Sequence, residues 1–248
     1  MKKISLLQRI YNNDKNLLDQ VLEHIANGVK LDNVSKYGES ALRVASNNGR
    51  FDAVKLLINS GADEQQLGWT PSFHEIVFGT VESLEKSIIE HLDIEARDYW
   101  DRTPFLLSIQ FGDIEKTSLL LQLGANPKAV GRCSRPAVSY AVINDQIQML
   151  KWLHKKGFDI EYVDQFKQTP LHDACEIGIV DSVQCLVDLG VDINKSNDIP
   201  EKPIQLASSM EVAQILINQG ADLNDINEDV RAELLGLNID SKLNISKQ

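Results

Sequence analysis

One short punctuation mark recurs through the sequence and limits what it can fold into. With some degeneracy, the copies close an apolar, helix-like run with glycine, a small or apolar residue, Asp or Asn, and an apolar residue. The copies are Gly28-Val29-Lys30-Leu31, Gly61-Ala62-Asp63, Gly124-Ala125-Asn126, Gly157-Phe158-Asp159-Ile160, Gly190-Val191-Asp192-Ile193-Asn194 and Gly220-Ala221-Asp222-Leu223-Asn224. His91-Leu92-Asp93-Ile94 replaces the glycine once, and the successive intervals are 33, 30, 33, 33, 33 and 30 residues. A fixed period of this length signals a stack of small repeated units rather than one layered core. Glycine suits the left-handed residue that ends many helices.

A second mark precedes most of these positions: Thr70-Pro71-Ser72-Phe73, Thr103-Pro104-Phe105-Leu106 and Thr169-Pro170-Leu171-His172. Degenerate copies are Ser40-Ala41-Leu42-Arg43, Arg135-Pro136-Ala137-Val138 and Lys202-Pro203-Ile204-Gln205. Thr caps a helix N-terminus, and Pro fits the first helical position, where no amide hydrogen is needed. Turns at Gly49, Gly79, Gly112 and Gly178 follow, and then a second apolar run such as Val183, Leu186 and Val187. Each unit therefore reads as a turn, a short helix, a tight turn and a second helix. Such a pair cannot bury its own apolar face, so neighbours must stack.

Thr169-Pro170-Leu171-His172-Asp173-Ala174, followed by Gly178, Leu186, Gly190 and Asp192-Ile193-Asn194, resembles an ankyrin repeat in nearly complete form. The resemblance runs from about residue 4 to about residue 235. It implies an all-α ankyrin-repeat solenoid of about seven units including caps, with hairpin fingers and almost no strand. The expected segments are a capping helix pair at 1–28, repeats at 29–61, 62–91, 92–124, 125–157, 158–190 and 191–220, a C-terminal cap at 221–240 and a tail at 241–248, together forming one domain. The 62–91 unit is three residues short between Gly61 and Thr70, and the 191–220 unit three short around Ser208-Ser209-Met210. The family also implies that His172 is structural and that a partner docks on fingertips and first helices.

Chemistry is sparse. The three cysteines, Cys133, Cys175 and Cys185, form no Cys-x-x-Cys pair and read as buried thiols. Acidic neighbours are expected to raise the Cys175 pKa. His74-Glu75-Ile76-Val77-Phe78 begins like a zinc-protease helix, but Phe78 stands where the second histidine belongs. Asp93 and Glu95 read as solvated carboxylates. No phosphate loop or nucleophile elbow occurs, so the expectation is a non-enzymatic protein with no cofactor and no metal. No apolar stretch approaches a membrane span and no export signal is visible, so a cytoplasmic location is expected.

Net charge is −11, unevenly spread. Residues 159–240 hold 17 Asp and Glu against 4 Lys and Arg, which disfavours nucleic acid and membranes and favours a protein partner with a basic patch. Lys128, Arg132, Arg135, Lys151, Lys155 and Lys156 concentrate positive charge just before it. The candidate contact residues are the fingertips Tyr37, Tyr99, Trp100, Arg102, Arg132, Phe166, Lys167, Asp198 and Glu201. Phe111 and Ile177, each before an inter-helix glycine, extend the set. Tyr, Trp and Arg dominate interface energetics, so Tyr99-Trp100-Asp101-Arg102 is the expected hot spot. A stack with so little appended is expected to act by occupying its partner, as an inhibitor or a toxin antidote, and to be monomeric when free; an adaptor or scaffold, or an enzyme with an unrecognised site, are the alternatives.

Overall fold

The structure is a computed structural model and describes residues 6–12, 16–28, 30–199, 201–221 and 225. The expected cap helix at Glu228–Leu235 and the tail at 241–248 lie outside the described residues. Among the described residues the chain is helical, with a single isolated bridge between Val34 and Ser40 and no strand. No described helix is long and apolar enough to cross a membrane. The chain forms two compact units, Met1–Arg132 and Cys133–Gln248.

The first unit contains helix pairs α1 (Leu6–Asn12) and α2 (Leu17–Ala26), α3 (Ala41–Asn47) and α4 (Phe51–Asn59), α5 (Pro71–Phe78) and α6 (Val81–His91), and α7 (Pro104–Phe111) and α8 (Ile114–Gln122). The second contains α9 (Ala137–Ile143) and α10 (Ile147–Lys155), α11 (Pro170–Ile177) and α12 (Val180–Asp188), then a 3-10 turn at Pro203–Leu206 and α13 (Met210–Asn218). First helices pack on first helices and second on second, as in α1 on α3, α2 on α4, α9 on α11 and α10 on α12. Helix α7 shows the consequence, since Pro104 through Gln110 are all buried. A helix that is apolar all round needs cover on every side.

The punctuation works as the sequence implies. Gly28, Gly61, Gly124, Gly157, Gly190 and Gly220 all have positive φ, between 68° and 99°. At the exceptional copy Leu92 takes the left-handed cap, with φ 52°. Thr103 and Thr169 accept the amides of Leu106 and His172, and Ser40 accepts that of Arg43. Thr70 departs from the expectation, because its hydroxyl caps nothing and is buried without a partner. Pro136 occupies the cap position itself, so α9 starts one residue later than Arg135-Pro136 suggests. Gly79 is extended rather than left-handed; a side chain there would collide with the Glu75 carboxylate and the Ser83 hydroxyl.

Both shortened units change their geometry. In the first unit, Glu64–Leu67 coils into a 3-10 turn capped by Asp63 in place of a full finger. Helix α3 packs on that turn, while α5 packs mainly on α6 and α7. The stack therefore steps between the second and third pairs. In the second unit, the Pro203–Leu206 turn takes the place of a first helix against α11. Ser208 then ties it down by donating to the Cys175 carbonyl at 3.1 Å.

Gly190 separates backbone strain from packing. Its φ is 84° and a Cβ there would meet nothing within 4 Å, so Gly190→Ala is expected to cost about 1 kcal/mol through conformation alone. Urea unfolding at constant m-value measures this.

Candidate protein-binding surfaces

A finger, the connection between a second helix and the next first helix, must satisfy its own exposed backbone groups. One side chain does so in each complete finger. Ser35 Oγ accepts the amides of Tyr37 and Glu39 at 3.2 and 3.3 Å. Asp98 Oδ1 accepts those of Trp100 and Arg102, both at 2.9 Å. Asp164 Oδ1 accepts Phe166 and Gln168 at 2.8 and 3.0 Å, and Asn197 Oδ1 accepts Glu201 at 3.1 Å. Each anchor lies five residues before the next helix cap, a spacing that sequence reasoning overlooked. Gly131 occupies the equivalent place before Pro136 and has no side chain to anchor with. There Arg132–Ser134 form a 3-10 turn, with Cys133 and Ser134 both at positive φ.

Carboxylates also tie successive fingers together. Asp32 accepts the Asp63 amide at 2.8 Å, Glu95 that of Asn126 at 2.7 Å, and Glu161 that of Asp192 at 2.6 Å. Asp93 accepts the Ser72 hydroxyl. The reading of Asp93 and Glu95 as merely solvated is thereby corrected, for both are braces.

In the first unit three cations lie over finger aromatics. Lys36 Nζ is 4.7 Å from the Tyr37 ring centre, Arg43 Cζ 3.8 Å from Tyr99, and Arg132 Cζ 4.8 Å from Trp100. Tyr99 and Trp100 meet edge to face at 5.2 Å. Trp100 is half-buried, and its Nε1 donates to the Arg43 carbonyl at 2.9 Å. Tyr37 is 72% exposed and Arg132 is exposed.

Arg102 does not belong to this surface, which corrects the sequence expectation. It is 1% exposed and forms an ion pair with buried Asp98. Nη1 donates to the Ser46 carbonyl at 2.9 Å and to Gln110 Oε1 at 2.6 Å, while Nη2 reaches Ser46 Oγ at 2.7 Å. Asp98 satisfies the finger amides and Arg102 satisfies Asp98, so the pair is a structural rivet. Phe111 is also largely committed internally. It meets Phe51 edge to face at 5.3 Å, with Lys55 Nζ 5.4 Å from its ring centre.

The second unit presents a different finger surface. Phe166 is 55% exposed, Ile199 71% and Ile177 57%. The fingers touch where Asp198 N donates to the Phe166 carbonyl at 3.2 Å and Lys167 Nζ pairs with Asp198 at 2.6 Å. The Glu201 carbonyl accepts His172 Nε2 at 3.2 Å, and His172 Nδ1 accepts the Thr169 amide. His172 thus joins one finger to the next as a buried neutral ring, its pKa lowered by burial. Burial, rather than acidic neighbours, pushes the Cys175 thiol up to about 12. Cys185 is buried as expected, but Cys133 is exposed, because it sits in the unanchored turn.

Short helix pairs stacked side by side, with braced fingers leaving aromatic and charged tips outward, define a helical-repeat module for binding proteins. The chain belongs to the ankyrin-repeat family. Residues 138–227 match the profile described as ankyrin repeats (3 copies), and residues 37–67 match that for an ankyrin repeat. Human protein phosphatase 1 regulatory subunit 27 is 32% identical over 103 residues, which are 41% of this chain and 67% of that protein. Ankyrin repeat protein nuc-2 of Neurospora crassa is 28% identical over 76% of this chain, which spans only 19% of that much longer protein. The crystal structure of the Bcl-3 ankyrin repeat domain superposes with a TM-score of 0.53 at 24% identity, covering 88% of this chain and 100% of that one.

Two stability predictions follow from these partners. Arg102→Ala strands the buried Asp98 carboxylate and is expected to cost about 3–5 kcal/mol in chemical denaturation, with partner binding per folded molecule unchanged. Burial pushes Asp173 up to about 6 against the opposing charge of Arg135 and the Ser139 hydrogen bond. Between its ordinary 3.8 and about 6 the folded state therefore holds the proton more tightly, and this contribution to stability is lost as pH rises through 6. Asp173→Asn is expected to stabilise the protein at pH 7 by roughly 1–2 kcal/mol, after discounting for partial exposure, and to flatten the pH 4–6 profile.

Proposed function

We propose that the chain acts by occupying a partner protein through its fingertips, as an inhibitor or toxin antidote in the cytoplasm, and is monomeric when free. The exposed tips carry this reading. Phe166, Ile177 and Ile199 are exposed in the second unit, where Asp164 and Asn197 close the finger amides. Asp198 and Glu201, within the acid-rich stretch, give the second unit's surface its affinity for a basic patch. Tyr37, Tyr99, Trp100 and Arg132 supply the first unit's contacts, with the repeats working as one domain. Two relatives agree in kind, one named as a phosphatase regulatory subunit and the other as a member of the IkappaB protein family. An adaptor or scaffold is the alternative, favoured because the two finger surfaces differ in chemistry.

Capture of partners by the immobilised full chain, followed by rate measurements at two salt concentrations, tests the proposal. Trp100→Ala and Phe166→Ala are expected to speed dissociation about tenfold or more, as central aromatic contacts do. Asp198→Asn with Glu201→Gln is expected to slow association and flatten its salt dependence. Unchanged dissociation in every fingertip variant places the partner on the second helices instead.

A further inference from the structure

The step in the first unit produces a surface that regular stacking would not. Fingers two repeats apart are separated by two helix-packing distances, roughly 16–20 Å. Here the intervening finger is withdrawn into its 3-10 turn, and the outer two meet. A Cβ at Gly38 would lie 3.5 Å from the Tyr99 hydroxyl, and Tyr99 N donates to the Leu67 carbonyl at 2.8 Å. Arg43 stitches the junction by donating to the Gly38 and Gln66 carbonyls. Tyr37, Tyr99 and Trp100 thereby share one patch with Lys36, Arg43 and Arg132.

The charge of that patch opposes the charge of the chain. Lys36, Arg43 and Arg132 form no ion pair among the described residues. Of the nearby acids, Asp98 is consumed by Arg102 and Asp101 faces Arg97 at 3.6 Å. Asp32 and Glu95 accept amides at finger bases. The Glu39 carbonyl accepts the Ser35 amide at 2.7 Å, closing its own turn. Lys36 and Arg132 keep donors directed to solvent beside aromatic faces, an arrangement suited to carboxylates flanking an apolar or aromatic side chain.

We infer that the Lys36–Tyr37–Tyr99–Trp100–Arg132 patch binds an acidic, aromatic-containing segment of a partner protein. The inference rests on the protein-binding reading above and assigns this patch a ligand of opposite charge to that of the second unit. A polyanion such as nucleic acid fits less well, because the net charge of −11 repels it at long range and the patch offers few cations.

Random twelve-residue peptides displayed on phage and selected on the full chain provide the test. Enrichment of Asp and Glu around Tyr, Phe or Trp is the expected result. Synthetic copies should bind the chain at least about tenfold more weakly when it carries Lys36→Glu with Arg132→Glu, and as before when it carries Asp198→Asn with Glu201→Gln. The exposed sites leave the fold intact, which an unchanged melting curve verifies. Selection of basic peptides, no enrichment, indifference to Lys36→Glu with Arg132→Glu, or tighter binding of a twelve-nucleotide oligo-dT overturns the inference. If it falls while captured partners still depend on Phe166, the protein-binding reading stands alone.

Discussion

A helix of seven to eleven residues, the range found here, is too short to hold itself together in water. Its stability comes from covering an apolar face, and one partner helix covers only part of it. Every other feature of the chain serves that lateral burial. The left-handed glycines return the chain so that the next pair falls alongside, and the Thr and Ser caps start its helix in register. The finger anchors satisfy backbone groups that would otherwise need water where repeats close together. Gln110 shows how complete the cover becomes, with its side chain buried and bonded to the carbonyls of Ser46 and Asn47.

Where the stack steps, apolar contact is replaced by polar connection. Arg102 and Asp98 supply it on the finger side of the first unit, with five hydrogen-bond partners satisfied around one guanidinium–carboxylate pair. Lys116 supplies it at the other end of α5. Its ammonium donates to the carbonyls of Glu75, Ile76 and Gly79 at 3.1, 2.8 and 2.7 Å, placing a cation on the negative end of the helix. Burial lowers the Lys116 pKa while Asp113 opposes it, so the ammonium is held by carbonyl geometry more than by an ion partner. Both devices fix orientation, which burial of apolar area alone leaves loose.

Much of the fold was legible because glycine and Thr-Pro carry their meaning locally. Positive φ at Gly190 or a cap at Thr169 depends on a few neighbouring residues. The two shortened units were legible as well, since a missing turn appears directly as a missing interval. What those deletions do to distant residues was not. Arg102 sits in a loop in every local sense, yet it reaches Ser46 in α3, two repeats back. Thr70 has the same Thr-Pro signature as Thr103 and nearly the same backbone angles, yet its hydroxyl accepts no cap hydrogen bond. Cys133 departs from its expectation as well. Gly131 removes the anchor, and the turn that results carries the thiol outward.

The exposed tips follow from this internal economy of polar groups. A finger whose amides are closed by Asp98 or Asp164 needs no further backbone partner from its tip residues, so these can be large, apolar or charged. Asp101 and Lys167 illustrate the margin, since both occupy left-handed positions, with φ of 61° and 57°, where Gly38 sits in the first finger. A non-glycine residue there costs about 1 kcal/mol or more. Folding alone therefore favours glycine at both places. At 167 the strained residue projects an ammonium toward Asp198 on the neighbouring exposed tip, and at 101 it projects a carboxylate beside Arg97.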